Sequence, residues 1–194
     1  MDSPLSLTPI VVGISGYAGS GKDTLAQSLS LSQGFVCTAF ADKLKEVLSD
    51  IYDVPLEYFH ERHLKNVPHP NLNGKTPREA AQCIGTEAFR NMMDPMTWVN
   101  YAIRKAKGFL ASGLSVVITD VRFPEEVAAI RQFENNYLVG LVREGCESYA
   151  HESERHIPWI LGQCDRVVEN NGSISDLLQR GDEIVSSVRA YTHL

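Results

Sequence analysis

The sequence predicts an α/β fold in which helices cover both faces of a parallel sheet. Short apolar runs rich in β-branched residues alternate with helical segments along the whole chain. Strands that are covered on both faces are expected to be apolar throughout, as these runs are. With 194 residues, 43% of them hydrophobic and 22% charged, the chain is long enough to build one core. We therefore expect a single domain over residues 1–194.

Five apolar runs are the predicted strands. Each is three to six residues long and is bounded by glycine, by polar residues or by a predicted helix. The first run, IVVGIS, precedes a glycine-rich turn, and the third, SVVIT, ends at Asp120. The five runs cover residues 10–15, 35–40, 115–119, 137–142 and 166–168.

The predicted helices carry apolar residues at helical spacing or begin at a residue that caps a helix. Thr76 is followed by Pro77 and Glu79, which is the pattern of a capping box. In the helix over residues 42–52 we expect Ile51 on the inward face, and in the last helix we expect Leu178 there. The helices cover residues 23–31, 42–52 and 124–133 or begin at Thr76, Asp94 and Ser173.

Composition and charge exclude several kinds of protein. The net charge is −6 and no basic stripe is visible, so a nucleic acid polymer is not expected as a partner. The apolar runs are far below the ~18 residues needed to span a membrane. The cysteines form no CxxC pair, which favours a reducing cytoplasm. The sequence leaves open whether the chain forms a homodimer. The cysteines are Cys37, Cys83, Cys146 and Cys164.

A glycine-rich loop joins the first predicted strand to the first predicted helix. It reads GYAGSGKDT over residues 16–24 and fits the pattern G-x-x-x-x-G-K. Glycines let main-chain N–H groups converge on phosphate oxygens, and a helix N-terminus favours an anion. Lys22 supplies charge for the β- and γ-phosphates. We therefore predict a P-loop that binds ATP through Gly16, Gly19, Ser20, Gly21, Lys22, Asp23 and Thr24.

The residue after the P-loop lysine departs from the usual pattern. Asp23 stands where Ser or Thr is common, and Thr24 comes one place later. We expect the Ser20 or Thr24 hydroxyl to help hold Mg²⁺ or its water shell. The G-K-x-T variant favours small-molecule and nucleoside monophosphate kinases over GTPases. The alternative for the whole loop is a glycine-rich turn with a solvated lysine.

Charged residues follow the third predicted strand, where ligands bind in parallel sheets. Asp120 looks like a Walker B aspartate, which would bind Mg²⁺ through water or accept a hydrogen bond from the acceptor phosphate. Arg122 can grip a phosphate with its planar fork. Glu126, one helical turn on, could orient Arg122 or bind an acceptor hydroxyl. The alternative is that Asp120 and Glu126 serve the start of the helix at Pro124.

The stretch 42–111 is long for one crossover and predicts a helical lobe for the second substrate. Arg78, in the first turn of a capped helix, is the candidate for an anion, with a solvated arginine as the alternative. Trp98 could stack on a base or be a core residue. Arg62 and Lys65 are weaker candidates for phosphate contact. The polar stretch 143–163 is predicted to be a lid.

An ordered set of motifs across nearly the whole chain resembles the deoxynucleoside monophosphate kinases encoded by tailed bacteriophages. Each motif after the P-loop is weak by itself, and their order makes the resemblance specific. The motifs are GYAGSGKDT, TPREAAQCIGTEAFR, DPMTWVNYA, VVITDVRFPEE, and HESE before DRVVENNGS.

The resemblance implies a nucleoside-monophosphate-kinase-like fold and Mg²⁺-assisted transfer of the γ-phosphoryl of ATP to a deoxynucleoside 5′-monophosphate. It implies catalysis by Lys22, Asp120 and Arg122, and a lid that brings Arg143 to ATP. Family members can carry basic residues where Ala18 and Gly19 stand here, so some charge must come from elsewhere. The acceptor site implied by the resemblance comprises Arg78, the Gly85 backbone, Trp98, Asp120, Arg122, Glu126 and His151.

Two other functions stay open from the residues. A kinase resembling dephospho-coenzyme A kinase would share loop, sheet and lid. A regulatory ATPase would hydrolyse ATP without an acceptor and act through a protein partner.

A structural zinc ion in the lid is a further alternative, although the spacing C-x4-H-x4-H-x7-C matches no tight zinc signature. Its ligands would be Cys146, His151, His156 and Cys164.

Overall fold

The computed structural model describes residues 8–146 and 152–191. The chain forms two compact units, each with its own core. The sheet unit comprises Met1–Ala39 and Ala102–Leu194, and the helical unit comprises Phe40–Tyr101.

The elements alternate between strands and helices, as the sequence predicts. In chain order they are β1 (Val11–Gly16), α1 (Lys22–Gln33), β2 (Val36–Thr38), α2 (Asp42–Tyr52), α3 (Glu57–His60), a 3₁₀ turn (Pro70–Leu72), α4 (Pro77–Gln82), a π-helix (Cys83–Met93), α5 (Thr97–Ala111), β3 (Val116–Val121), α6 (Pro124–Ile130), β4 (Asn136–Val142), α7 (Glu152–Arg155), α8 (Ile157–Leu161), β5 (Arg166–Glu169) and α9 (Ile174–Tyr191).

The strands of the sheet unit form one sheet in the order β2-β3-β1-β4-β5. The pairings β1 with β3, β1 with β4, β2 with β3, and β4 with β5 are all parallel. Every residue of β1 is buried, which agrees with the apolar run that predicts it. The prediction of a parallel sheet flanked by helices is therefore confirmed. Parallel strands all end at the same edge, and the candidate site lies at that edge.

Helices α1 and α9 pack together and bury one face of the sheet. Leu25 and Leu29 of α1, and Ile184 and Val188 of α9, join β-strand residues in this core. The prediction for Leu178 is wrong: its side chain is 40% exposed, because its neighbour Leu177 takes the inward position on α9.

Helix α8 has a core role that the sequence reasoning missed within the polar stretch 143–163. Its residues Ile157 and Ile160 are fully buried, and the helix contacts β1 and β4. Opening a segment that is anchored in this way would expose apolar side chains to water, which costs free energy. The lid over residues 143–163 stays a prediction, and the burial of α8 argues against the opening of residues 157–161.

The helical unit has a small apolar core of its own, to which Leu44, Leu48 and Phe59 contribute. The prediction for Ile51 is wrong, since it is 69% exposed. The chain leaves α2 at Asp53, which has a positive φ of 50°, and Val54 joins the core there instead.

The capping box at Thr76 is confirmed in the helical unit. The Thr76 hydroxyl accepts a hydrogen bond from the Glu79 N–H at 3.1 Å, and the Glu79 carboxylate accepts one from the Thr76 N–H at 2.8 Å. The Thr76 N–H, and the Thr76 hydroxyl that donates to the same carboxylate at 2.9 Å, hold the pKa of Glu79 below its usual value. The π-helix that directly follows α4 was not predicted. Its i→i+5 hydrogen bonds leave no distinct signal in an apolar pattern at helical spacing.

Candidate active site

Four neighbouring strands of the sheet unit deliver functional side chains to one edge. The P-loop follows β1, Arg122 follows β3, Arg143 follows β4, and Asn170 follows β5. Because these strands are adjacent and parallel, their carboxyl ends lie side by side. The topology therefore collects three of the predicted site features, together with Asn170, which the sequence reasoning did not select.

The P-loop turns from β1 into α1 through residues in the left-handed region. Gly19 has a φ of 86° and Gly21 a φ of 102°, and Gly21 is the N-cap of α1. Side chains rarely tolerate such angles, which explains the glycines at these places. The loop thus ends at the amino terminus of a twelve-residue helix, where an anion is stabilised.

Lys22 is folded back onto the loop that carries it. Its Nζ donates hydrogen bonds to the carbonyl oxygens of Gly16 at 2.8 Å and Tyr17 at 2.7 Å. The residue is only 8% exposed. The two hydrogen bonds hold the ammonium group at the P-loop, and its contact with a phosphate stays a prediction.

The charges around Lys22 have both signs. Burial, followed by the positive charge of Arg122, lowers the pKa of Lys22 from 10.5 to about 8. The carboxylates of Asp23, Glu154 and Asp120 act in the opposite direction. The structure therefore brings together the predicted residues Lys22, Asp120 and Arg122, in the company of Glu154.

An irregularity in β3 sets the position of Asp120. The register with β1 shifts between the pairs Gly13–Ile118 and Ser15–Val121, so β3 has one extra residue there. The buried Ser15 hydroxyl fixes this arrangement by donating to the Val121 carbonyl at 2.7 Å. β-bulges re-aim side chains next to functional sites. Asp120, partly buried, lies inside this irregular stretch.

Glu126 supports the backbone at the end of β3. Its Oε2 accepts hydrogen bonds from the N–H groups of Arg122 at 2.7 Å and Phe123 at 3.0 Å. The residue is 4% exposed. These contacts favour the alternative in which Glu126 serves the start of α6, and through the Arg122 backbone it also positions that arginine. A contact of Glu126 with an acceptor hydroxyl stays a prediction.

Glu154 is a site residue that the sequence reasoning did not single out beyond the lid. It lies on α7, is 2% exposed, and its Oε1 lies 3.7 Å from Nη1 of Arg122. Buried carboxylates are rare unless they are paired. The sequence does not mark Glu154 as a buried residue, since charged residues are common in polar stretches.

A pocket of about 240 Å³ opens beside the P-loop. It contains three predicted residues, namely Gly21, Thr24 and Arg143. The prediction that Arg143 contacts ATP stays untested, but its location beside the loop agrees with it. The remaining residues that line the pocket come from the chain after β5 and from α9: Asn170, Gly172, Ser173, Ile174 and Leu177.

The two candidate hydroxyls for Mg²⁺ differ in their surroundings. Ser20 Oγ is fully buried and has no hydrogen-bond partner in the described part of the chain, whereas Thr24 lines the pocket. Thr24 and Asp120 supply hard oxygen atoms, the type that Mg²⁺ prefers in company with water and substrate phosphates. The residues present therefore fit a Mg²⁺ ion that arrives with ATP.

The helical unit contains the other predicted acceptor residues. Arg78 Nε donates to Asn66 Oδ1 at 2.8 Å, and the Arg78 N–H donates to the Lys65 carbonyl at 3.1 Å. Arg62 is exposed. Both contacts fix Arg78 to the segment before α4, and its role toward a phosphate stays a prediction.

Gly85 and Trp98 lie together, since Trp98 Nε1 donates to the Gly85 carbonyl at 3.1 Å. The indole ring also lies 5.0 Å from the Phe89 ring and packs against the core of the helical unit. These contacts favour a core role for Trp98, so a role in lining a base pocket stays a prediction.

His151 lies outside the described residues. Among those the structure describes, no group of three or more His, Cys, Asp or Glu side chains could hold a metal ion. Burial raises the pKa of the Cys164 thiol to about 11, and its Sγ donates to the Ile160 carbonyl at 3.3 Å. Cys164 is thus a half-buried thiol within the helix packing.

The parallel sheet, the glycine-rich loop and the buried lysine define a P-loop α/β fold. Solved structures with this fold include dephospho-CoA kinase from Campylobacter jejuni, at 14% identity with a TM-score of 0.55, covering 94% of this chain and 98% of that one. Shikimate kinase from Aquifex aeolicus matches at 11% identity with a TM-score of 0.51, covering 94% and 98%. At such identities the likeness shows the fold alone.

Sequence comparison defines the family. The profile of the deoxynucleotide monophosphate kinase family matches residues 55–180. A protein of Acanthamoeba polyphaga mimivirus, provisionally named a deoxynucleotide monophosphate kinase, is 30% identical over 190 residues, which span 92% of this chain and 96% of the viral protein. The chain belongs to the deoxynucleotide monophosphate kinase family, as the ordered motifs predict, and it is therefore a nucleotide kinase by family. Within the described ranges, none of the helices is long and apolar enough to cross a membrane.

Proposed function

We propose that the protein transfers the γ-phosphoryl group of ATP to a deoxynucleoside 5′-monophosphate, giving ADP and the diphosphate. Family membership supports a nucleotide as substrate. The observation that carries the proposal is the buried Lys22 ammonium, held at the P-loop carbonyls beside Arg122 and Asp120. This positive charge beside the P-loop supports the binding of a triphosphate there.

The donor site is proposed to run from the P-loop into the adjoining pocket. Main-chain N–H groups of the loop and the amino terminus of α1 would hold the β- and γ-phosphates. Lys22 would exchange the carbonyls of Gly16 and Tyr17 for phosphate oxygens. The pocket that contains Gly21, Thr24 and Arg143 adjoins the loop, and we assign the nucleoside of ATP to it.

The reaction needs positioning and charge neutralisation more than covalent chemistry. An oxygen of the acceptor phosphate attacks the γ-phosphorus as the bond to the ADP oxygen breaks. The acceptor is already ionised near neutral pH, so a strong base is not required. Lys22 and Arg122 would stabilise charge on the transferring group, and Glu126 and Glu154 would hold Arg122 in place. Mg²⁺, held by Thr24 and Asp120 through water, would neutralise further charge on the phosphates.

The acceptor site is proposed to use the helical unit. We assign the acceptor phosphate to Arg78, which the capping box and the contact with Asn66 hold in a defined orientation. The Gly85 backbone and Trp98 would line the base site. Closure of the segment that precedes α8 would exclude water and limit hydrolysis of ATP.

An initial-rate assay with an acceptor panel tests the proposal. ADP release is measured with the four deoxynucleoside monophosphates, their ribose forms, dephospho-coenzyme A and no acceptor. We expect rates above the acceptor-free background only with nucleoside monophosphates. Turnover with dephospho-coenzyme A alone would support the rival kinase, and equal rates with and without acceptor would support a regulatory ATPase.

A pair of lysine variants ties the activity to the P-loop. Lys22→Ala is expected to lose phosphoryl transfer by orders of magnitude while staying folded, because this lysine serves the ligand. Lys107→Ala, at an exposed position of α5, is the matched control and is expected to keep the wild-type rate. Near-normal turnover of the Lys22 variant would refute the assigned role.

A further inference from the structure

A buried asparagine from the far end of the sequence holds the P-loop backbone. Asn170 Nδ2 donates a hydrogen bond to the Ser20 carbonyl at 2.8 Å, across 150 positions in sequence. Asn170 is 5% exposed, and it directly follows β5. A hydrogen bond in such a dry place is strong, and its geometry is well defined.

The same side chain packs against the turn that opens α1. A Cβ atom on Gly21 would lie 2.5 Å from Asn170 Nδ2, closer than atoms approach one another. Gly21 is therefore required both by its φ of 102° and by the presence of Asn170. The hydrogen bond to the Ser20 carbonyl and the close packing at Gly21 both act on the Ser20–Gly21 peptide.

The orientation of this peptide decides where a backbone donor points. In a trans peptide the C=O and the following N–H point in opposite directions. Since the Ser20 C=O is directed at Asn170, the Gly21 N–H is directed away from it. No acceptor for this N–H is found among residues 8–146 and 152–191. A backbone donor that is oriented in this way is suited to a phosphate oxygen.

Asn170 is itself fixed to the sheet. Its N–H donates to the Val142 carbonyl at 2.8 Å, at the end of β4. The chain then continues through Gly172 to Ser173, which begins α9 with hydrogen bonds to Asp176. These hydrogen bonds hold the pKa of Asp176 below its usual value. The clamp on the loop is thus anchored to a strand on one side and to a capped helix on the other.

We propose that Asn170 is a positioning residue of the phosphate site: it holds the Ser20–Gly21 peptide so that the Gly21 N–H faces the bound phosphate. The inference rests on the proposed ATP site in the P-loop and adds a residue that lies outside the G-x-x-x-x-G-K pattern. Asn170 would act through the backbone, without touching the transferred group itself.

The test uses a variant that keeps the branched shape of the side chain and removes its donor. Asn170→Leu has two methyl groups in place of the amide oxygen and nitrogen and is larger than asparagine, so Asn170→Ala, which removes the donor without adding bulk, is measured as a second variant. Asn136→Ala is the matched control. Asn136 also donates to a backbone carbonyl, that of Phe133 at 2.7 Å, but it lies at the opposite end of β4. Dissociation constants are measured by calorimetry for a non-hydrolysable ATP analogue and for inorganic tripolyphosphate.

Tripolyphosphate separates the two ways in which Asn170 could matter. It has no base, so a change in its affinity reports on the P-loop and not on the adjoining pocket. We expect both ligands to bind about five- to tenfold more weakly to the Asn170 variant, the effect of one hydrogen bond. The Asn136 variant is expected to stay within twofold of wild type.

Three results would overturn the inference. Tripolyphosphate affinity unchanged in the Asn170 variant would leave the residue a role in the pocket only. An equal loss of affinity in the Asn136 variant would show a general effect of lowered stability. If the wild-type protein binds neither ligand, the proposed ATP site is wrong, and the role of Asn170 fails with it. If the wild-type protein binds both ligands and the Asn170 variants bind them equally well, only the inference about Asn170 is refuted.

Discussion

The lowered pKa of Lys22 predicts that ATP binding weakens as the pH rises above about 8. A phosphate is attracted by the protonated ammonium, so the deprotonated lysine binds ATP poorly. Burial and Arg122 lower the pKa of Lys22 in the free protein to about 8, against 10.5 for an ordinary lysine. The free protein therefore loses its binding-competent form more than two pH units earlier than an exposed lysine would.

The size of the effect follows from the fraction of protonated lysine. With a pKa of about 8, roughly one molecule in ten keeps the proton at pH 9, so ATP affinity is expected to fall about tenfold between pH 7 and pH 9. With an ordinary pKa near 10.5, the loss over the same range would be only a few per cent. The terminal phosphate of ATP gains negative charge as the pH rises, which would strengthen binding, so a fall in affinity reports on the lysine.

Calorimetric titration with a non-hydrolysable ATP analogue at pH 7, 8 and 9 measures this effect. Lys22→Arg is the control, because a guanidinium keeps its charge at all three pH values. The arginine variant is expected to bind more weakly than wild type but with an affinity that is constant over the range. Wild-type affinity that stays constant to pH 9 would refute the claim that burial sets the charge state of Lys22.

Three further predictions concern single residues. Glu126→Ala removes the acceptor of two backbone N–H groups and is expected to lower the free energy of unfolding by about 2 kcal/mol in urea denaturation. The control Glu134→Ala, at an exposed position, should have little effect, and equal stabilities of the two variants would contradict the supporting role of Glu126. Gly21→Ala places a Cβ against Asn170 at a φ of 102°. The variant is expected to bind the ATP analogue at least about tenfold more weakly, on the order of 1.4 kcal/mol. If the variant binds with the affinity of the wild type, the loop adapts to the added methyl group and the prediction is wrong. Arg78→Ala is expected to raise the KM of the acceptor far more than that of ATP in initial-rate kinetics, and an equal effect on both would exclude a specific acceptor role.

The sequence predicts the parts of the fold that depend on local patterns. The β1 strand is apolar along its length because both faces are covered, and the P-loop glycines are visible because the turn needs unusual φ angles. The start of α4 is predicted because Thr76 and Glu79 are only three residues apart. In each case the physical cause lies within a few neighbouring residues.

The missed features depend on contacts between distant parts of the chain. Asn170 and Ser20 are 150 positions apart, and the sequence around Asn170 does not predict the hydrogen bond between them. The burial of Glu154 beside Arg122 is likewise invisible in a polar stretch of sequence. One rule could have found Asn170: the residue directly after each strand of a parallel sheet is a candidate for the site.

The central claim is that Lys22 and the P-loop hold ATP while its γ-phosphoryl group passes to a nucleotide monophosphate. The most direct measurement is ³¹P NMR of wild-type protein mixed with ATP, Mg²⁺ and one deoxynucleoside monophosphate at a time. We predict that ADP and a deoxynucleoside diphosphate accumulate in equal amounts with at least one of the four acceptors. The claim would be contradicted if ADP formed only together with inorganic phosphate, at a rate that no acceptor changes.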